Sequence, residues 1–321
     1  MKRYGLIGAA GYVAPRHMKA MQETNGSLMA AMDKFDSVGI IDTYFPRAAF
    51  FTEFERFDRY LEKQRRFGGG IDYLSICTPN YLHDAHIRFG LRSGIDVICE
   101  KPLVLNPWNA EALLNLEAEC NQRVHCILQL RLHEEVIRLK TRLDSQSSTE
   151  KLEVSLTYIV PRGNWYYASW KGDESKSGGV ATNIGIHFFD MLLWMFGEVQ
   201  DSIVNVYSHD RAAGILITEK ANIKWFLSIN EAALPDDIKA TGDFTYRSLT
   251  LGDQEFDFSK GFEDLHTKSY EHILRGNGFG ISDAVPSIDL VNKIRTAELE
   301  PTSSHSHPLC QLPLSKHPFA K

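Results

Sequence analysis

Two side chains of this sequence, Lys101 and His187, have the chemistry that proton transfer from a hydroxyl group requires. Lys101 follows the apolar run Asp96–Cys99, and a cation placed there lies where open α/β sheets bind ligands. Pro102 fixes its own φ at about −65°, so the turn is stiff and holds the ammonium in one place. His187 is a candidate general base, because histidine has the only side chain whose unperturbed pKa suits that role near neutrality. Because an isolated lysine turn or a lone histidine in an apolar run is more often structural, the neighbouring motifs decide their meaning.

A glycine turn near the start of the chain predicts a dinucleotide site. The strand candidate Tyr4–Ile7 leads into Gly8-Ala9-Ala10-Gly11-Tyr12-Val13-Ala14, followed by a helix to about residue 23. Glycines let the backbone approach a pyrophosphate, and the helix start offers free N–H groups. The pattern is looser than the full G-x-G-x-x-G, but Asp33 stands 22 residues after Gly11, where an acid binds the adenosine ribose. The acid favours NAD, and Lys34 leaves NADP open. The predicted cofactor residues here are Gly8, Ala10, Gly11, Tyr12, Val13 and Asp33.

Strands and helices alternate over residues 1–128, which predicts an α/β Rossmann domain with a mostly parallel sheet. Three successive strand ends carry polar or glycine residues, and they can converge on one cleft. The first is the glycine turn, the second is Thr78-Pro79-Asn80 with His83 after it, and the third is Glu100-Lys101. The further predicted cofactor contacts are Thr78, Asn80, His83, Glu100 and Lys101.

The pattern changes after the predicted boundary, and residues 129–321 read as an α+β domain with a large open, mainly antiparallel sheet. Leu152–Ile159 alternates as an antiparallel strand would, and residues 162–167 read as an aromatic loop. The tail from Pro301 reads as irregular, with His305 and His307 as polar tail residues. Further strands are predicted at 202–208, 213–218, 221–229 and 243–258, with helices near 263–275 and 286–299.

Composition narrows the function class. A chain of 321 residues is long enough for two domains, and its 43% hydrophobic and 24% charged content is ordinary for a globular protein. The net charge of −6 and the lack of a basic block argue against nucleic-acid binding. No apolar run approaches about 18 residues, so no membrane span or signal is expected. Five cysteines without paired spacing predict reduced thiols in the cytoplasm and no metal site.

These features together resemble the glucose-fructose oxidoreductase/inositol dehydrogenase/MocA (Gfo/Idh/MocA) family over roughly residues 1–300. Glu100-Lys101-Pro102-Leu103 matches the family's Glu-Lys-Pro turn. Gly178-Gly179 followed by His187 and Asp190 resembles its Gly-Gly…Asp-x-Gly-x-His-x-x-Asp helix. Thr78-Pro79-Asn80-x-x-His83 resembles the strand end beside the nicotinamide. The resemblance implies a dehydrogenase in which Lys101 and His187 are catalytic.

Asn183 departs from the broad family, many of whose members have aspartate there. It stands four residues before His187, which places both side chains on one helical face. Since an asparagine takes no proton, the base is either His187 or a neutral Lys101. Asn183 would orient the sugar by hydrogen bonds.

A closer resemblance links the chain to the WlbA/WbpB branch of the family. It is carried by Gly11-Tyr12-Val13-Ala14-Pro15-Arg16-His17, Arg162-Gly163-x-Trp165-Tyr166 and Asn183-Ile184-Gly185-Ile186-His187. This likeness implies NAD-dependent oxidation at C3 of UDP-N-acetyl-D-glucosaminuronic acid, for bacterial surface-polysaccharide (O-antigen) sugars. Such a substrate is anionic, so a basic pocket is required, with aromatic rings near the uracil or sugar. The expected substrate contacts are Lys101, Arg131, Arg162, Trp165, Tyr166, Lys171, Lys176, Asn183 and His187.

Two other functions stay open. One is a dehydrogenase of another sugar or of inositol, because substrate identity rests on loops. The other is a non-catalytic NAD-binding regulator of the same fold, against which the joint presence of Lys101 and His187 argues. The apolar face of a wide sheet needs cover, and the family associates through it, so a homotetramer is expected.

Overall fold

The computed structural model describes residues 1–145, 150–256 and 261–320. The chain divides into two compact units. The first comprises Met1–Leu132 and Glu263–Val285, and the second comprises His133–Phe262 and Pro286–Lys321. The sequence pattern predicted the domain boundary between residues 128 and 129. It did not predict that the segment Glu263–Val285 returns to the first unit.

The first unit contains six parallel strands in the order β3-β2-β1-β4-β5-β6, which confirms the predicted Rossmann sheet. The strands are β1 Arg3–Ile7, β2 Ser27–Met32, β3 Ala49–Phe51, β4 Tyr73–Ile76, β5 Asp96–Cys99 and β6 Val124–Cys126. The helices are α1 Ala14–Glu23, α2 Ile40–Tyr44, α3 Phe54–Arg66, α4 His83–Arg92 and α5 Pro107–Cys120. Nearly every residue of the central strands β1, β4 and β5 is buried, because helices cover both faces of a parallel sheet.

The second unit contains a mixed, mostly antiparallel sheet in the order β12-β11-β7-β10-β9-β8, as predicted. The strands are β7 Leu152–Ile159, β8 Val199–Tyr207, β9 Arg211–Thr218, β10 Ala221–Ser228, β11 Tyr246–Leu251 and β12 Gln254–Glu255. The helices are α6 Glu134–Asp144, α7 Asn164–Ala168, α8 Glu174–Ser177, α9 Ile186–Phe196 and α10 Asp236–Thr241.

Three local predictions for the second unit need correction. β7 is a central strand that pairs parallel with β10 and antiparallel with β11, because alternation in sequence cannot report the direction of a neighbour. The aromatic segment 162–167 is not a plain loop, since α7 begins at Asn164 and ends just after the segment, at Ala168. The strand predicted over 243–258 is divided into β11 and β12, and its last residues lie outside the described ranges.

Helix α9 forms the core of the second unit. The ring of Phe189 packs edge-on to that of Trp225 in β10, with ring centres 5.1 Å apart. A Cβ on Gly185 would lie 2.5 Å from Leu227 Cδ1, so glycine allows the helix to approach the sheet closely. The helical stretch 174–196 has the length and apolarity of a membrane span, but its most apolar part is 78% buried inside the protein. That burial is what a core helix requires.

Two helices follow the second sheet, α11 Leu265–Leu274 and α12 Ile281–Thr296. The predicted helix over 263–275 is confirmed as α11, whereas the one predicted from 286 begins five residues earlier. α11 packs on α1, where Lys19 Nζ lies 2.7 Å from Asp264 Oδ1 and Thr267 Oγ1 donates to Glu23 Oε2 at 2.6 Å. The returning segment 263–285 therefore completes the first unit.

The tail after Pro301 is irregular apart from a short 3₁₀ turn at Pro308–Gln311, yet it is anchored on the second sheet. His307 is buried, and its Nε2 lies 2.9 Å from Thr157 Oγ1 in β7. Ser315 Oγ donates to Asp210 Oδ2 at 2.6 Å. The tail therefore covers part of the sheet face.

Candidate functional site

The glycine turn passes directly over the end of β4. Gly8 has φ of 91°, and a Cβ there would lie 2.6 Å from the carbonyl carbon of Cys77. A Cβ on Gly11 would lie 3.0 Å from Gly8 O and 3.1 Å from Cys77 O. Any larger residue would displace backbone, so the turn keeps the close path that a pyrophosphate needs. Tyr12, at the tip of the turn, is 85% exposed, and the Arg16 guanidinium lies 5.6 Å from the centre of its ring.

Asp33 directly follows β2 and holds the same turn. Its Oδ2 accepts from the backbone N–H of Ala10, and its Oδ1 accepts from that of Phe35, both at 3.0 Å. Each carboxylate oxygen has a second lone pair. Asp33 can therefore support the turn and also accept a ribose hydroxyl.

The end of β4 is tied to the Pro102 turn by His83. His83 is buried, and its two ring nitrogens lie 2.7 Å from Pro102 O and 2.8 Å from Thr78 O. Burial lowers the pKa of His83. Thr78 Oγ1 lies 3.1 Å from His86 Nδ1, and Asn80 is buried in the same turn. The structure thus brings the two predicted strand ends together.

Glu100 is only 7% exposed and sits one residue before the half-buried Lys101. Its Oε1 lies 3.0 Å from His17 Nε2 and 2.7 Å from His266 Nε2, while Oε2 accepts from the Lys101 backbone N–H at 3.3 Å. Burial by itself raises the pKa of Glu100, but the bonds from the two histidines outweigh it and hold the pKa well below its usual range. Nothing in the sequence indicated that His17 and His266 would contact Glu100.

In the second unit, Asn183 and Tyr166 come together. Asn183 Nδ2 donates to Tyr166 Oη at 2.9 Å, and burial raises the pKa of Tyr166. Asn183 lies in a π-helical turn, Ala181–Gly185, and such turns are frequent at functional sites. His187 follows in the first turn of α9, half-buried against the rings of Phe188 and Tyr158, at 4.5 and 6.4 Å between ring centres.

The predicted cations differ in their surroundings. Lys171 Nζ lies 4.7 Å from the ring centre of Trp170 and 5.6 Å from that of Trp165, and burial, with Arg162 second, lowers its pKa. Arg162 is exposed. Lys176 Nζ lies 2.9 Å from Asp173 Oδ2, one turn away. Lys171 and Arg162 thus form the basic part of segment 162–176.

Arg131, also predicted as a substrate contact, lies in the first unit and is buried. Its guanidinium donates to Asp283 Oδ1 at 3.2 Å and to Asp283 O at 2.9 Å, and it stacks over Phe279 at 5.2 Å from the ring centre. These contacts hold the returning segment.

Two family models match the chain. Residues 2–127 match the NAD-binding Rossmann fold of the Gfo/Idh/MocA oxidoreductase family, and residues 151–223 match that family's C-terminal alpha/beta domain.

Among solved structures, the chain is similar to the WlbA (WbpB) dehydrogenase of Thermus thermophilus. The crystal structure of that protein with NAD and alpha-ketoglutarate matches this chain with a TM-score of 0.93. Its structure with NAD and UDP-GlcNAcA matches with a TM-score of 0.92. In both cases the identity is 46%, over 96% of this chain and 99% of the other.

Curated relatives are more distant. The oxidoreductase YteT of Bacillus subtilis is 23% identical over 62% of this chain and 51% of its own length. The inositol 2-dehydrogenase of Rhizobium meliloti is 25% identical over 63% of this chain and 57% of its own length. The chain thus spans only about half the length of these relatives.

Proposed function

We propose a reaction for this chain, which belongs to the Gfo/Idh/MocA oxidoreductase family. It oxidises the C3 hydroxyl of UDP-N-acetyl-D-glucosaminuronic acid to the 3-keto sugar with NAD. The observation that carries the proposal is the 46% identity, over nearly the whole of both chains, to a dehydrogenase crystallised with NAD and UDP-GlcNAcA. The product would serve bacterial surface-polysaccharide synthesis. Each of the five cysteines is a free thiol, which suits an enzyme of the reducing cytoplasm.

The residues of the first unit fit NAD. Gly8 and Gly11 let the turn pass against the backbone at Cys77, where a Cβ would clash, and the carboxylate of Asp33 accepts from the Ala10 amide of the same turn. We assign the cofactor contacts to the predicted set, Gly8, Ala10, Gly11, Tyr12, Val13, Asp33, Thr78, Asn80, His83, Glu100 and Lys101. Bound NAD supplies the acceptor for the C3 hydride.

His187 accepts the proton of the C3 hydroxyl, since histidine is the side chain whose unperturbed pKa suits a base near neutrality. The ammonium of Lys101 steadies the charge that develops on the C3 oxygen. Asn183, held by Tyr166, orients the sugar ring. One proton and one hydride leave the alcohol, so the products are the ketone, NADH and His187 with its proton.

The substrate's anionic groups meet segment 162–176 in this proposal. Lys171, over the rings of Trp165 and Trp170, and the exposed Arg162 offer positive charge beside apolar surface. Lys176 and Arg131 already have acidic partners, so we expect them to contribute less.

NADH formation with a panel of alcohols tests the proposal. Turnover is expected with UDP-N-acetyl-D-glucosaminuronic acid and should be far lower with UDP-N-acetylglucosamine, which lacks the carboxylate. The uronate should also raise the unfolding temperature more than UDP-N-acetylglucosamine does. Preferential oxidation of myo-inositol or a free sugar would favour the alternative dehydrogenase, whereas NAD binding without any turnover would favour the non-catalytic regulator.

We also propose that the chain forms a homotetramer through the second sheet. Trp225 faces α9, and the strand register therefore places Lys224 and Ile215 on the opposite face. Ile203, Ile215 and Ile217 remain partly exposed there and would be covered by a second copy. Sedimentation should give four chains per particle at micromolar concentration, and a stable monomer would contradict the proposal.

A further inference from the structure

A chain of buried polar groups runs behind the Lys101 turn. Ser75 Oγ lies 2.7 Å from Tyr270 Oη, which lies 2.8 Å from His17 Nδ1. His17 Nε2 and His266 Nε2 then meet the same oxygen of Glu100, Oε1. All five side chains are buried. They come from α1, β4, the end of β5 and the returning helix α11.

One arrangement of hydrogens satisfies every contact. Ser75 donates to Tyr270, Tyr270 donates to Nδ1 of His17, and His17 donates from Nε2 to Glu100. His266 donates to the same carboxylate oxygen. In this arrangement Glu100 is ionised and His17 is neutral, and burial, the largest cause, lowers the pKa of His17. A buried carboxylate costs free energy unless donors surround it, and here two imidazoles and a backbone amide do so.

His17, Glu100 and His266 are also residue types that ligate metals, and one ligand atom from each lies within 4.8 Å of the other two. However, a metal would need the lone pair of each Nε2, and both atoms lie at hydrogen-bond distance from a single carboxylate oxygen. The observed distances therefore fit a carboxylate held by two N–H donors.

We propose that His17, His266 and Tyr270 are positioning residues that keep Glu100 ionised and thereby fix the backbone of Lys101. The proposal rests on the proposed dehydrogenase function, because it assigns these residues to the placement of its catalytic cation. Protonation of Glu100 would remove the acceptor that both imidazoles and the Lys101 amide share. The titratable groups around Glu100 are His17 on α1, His266 and Tyr270 on α11, His83 on α4, Cys77 after β4 and Cys99 in β5.

The test compares His266→Leu with His266→Gln, whose amide can donate from nearly the same position as Nε2. His266→Leu removes one donor, so Glu100 should take up a proton in the assay range. We expect kcat to fall about 10-fold or more at neutral pH, with KM for the uronate nearly unchanged, and a new loss of rate on the acid side. His266→Gln should recover most of the rate and the wild-type pH profile.

A superimposable pH profile for folded His266→Leu, or equal losses in both variants, would overturn the proposal. So would stoichiometric zinc in the wild-type protein that is lost with His17→Gln. If His266→Leu does not fold, Tyr270→Phe replaces it, and the same acid-side loss should appear at smaller size, because only the donor to His17 is removed.

A second readout separates this proposal from the proposed function. Nitrogen-15 NMR of the histidine rings, assigned with His17→Gln and His266→Gln, should show a hydrogen on Nε2 of both rings and a neutral ring at His17. That result would support the network even if no UDP-sugar were oxidised. An imidazolium or the opposite tautomer at His17 would contradict the network whatever the substrate is.

Discussion

The turn that carries Lys101 and the segment 162–176 hold their charged groups in opposite ways. Glu100 is buried, and its side-chain partners stand 83 and 166 positions away in the chain. The charges of segment 162–176 are more exposed, and the bond of Lys176 is to Asp173, one turn away. Groups that must be held within fractions of an ångström suit the first arrangement, whereas groups that adapt to a ligand suit the second. Variants in the first region should therefore change kcat, and variants in the second should change KM.

The largest effect is expected from the base. His187→Asn keeps a polar side chain but cannot accept the proton near neutral pH, so kcat should fall by roughly 10²–10⁴. Substrate binding should change little. Single-turnover NADH formation across pH should show one ionisation in the wild type and none in the variant. An unchanged rate and pH profile would move the base to Lys101 or to a water, and His187 would then be a core residue.

A smaller effect is expected on cofactor binding. Asp33→Ala removes a carboxylate that supports the Ala10 amide and is proposed to meet the ribose, so the Kd for NAD should rise about 10–100-fold. Titration of NAD binding measures this, and the unfolding temperature should change less than the affinity suggests. Asp36→Ala, at an exposed neighbouring position, is the control and should bind NAD normally. Unchanged affinity in Asp33→Ala would remove the assignment.

Lys171 and Lys176 provide a matched pair in the exposed segment. Lys171→Met should raise KM for the uronate about 10-fold with kcat nearly unchanged, because a charge in contact with the substrate contributes to binding alone. Lys176→Met loses a cation already paired with Asp173, so its KM should stay within about threefold. Steady-state kinetics separates the two. Equal effects of both changes, or an effect on kcat alone, would break the contrast between the two regions.

The smallest effect is expected from the cap of α8. Asp173 Oδ1 accepts from the backbone N–H of Ser175 at 3.0 Å, and Asp173→Ala should make this short helix open more often because it loses its cap. Hydrogen exchange of residues 174–177 should report the change, while the amides of β5 keep their protection. Loss of protection in β5 would show that the exposed segment is not held locally.

Local patterns in the sequence were enough to predict the helices and strands, as well as the turns that connect them. The alternation of strands and helices, the glycine turn and the polar strand ends were all found, because each depends on neighbours within a few residues. The likeness of the second half to an α+β domain was also found from alternation. The direction of β7 was not, since a strand carries no record of which neighbour will pair with it.

Only the tertiary structure decided which distant residues meet. It returned α11 to the first unit, placed His266 and Tyr270 with His17 behind Glu100, and gave Arg131 a partner in Asp283. The contacts of Arg131 with Asp283, of His266 with Glu100 and of Tyr270 with His17 join chain positions separated by 152 or more residues. Sequence thus determined the types of chemical group and the local elements that present them. Packing determined their partners, because burying apolar faces selects one arrangement of elements, and the polar contacts follow from that arrangement.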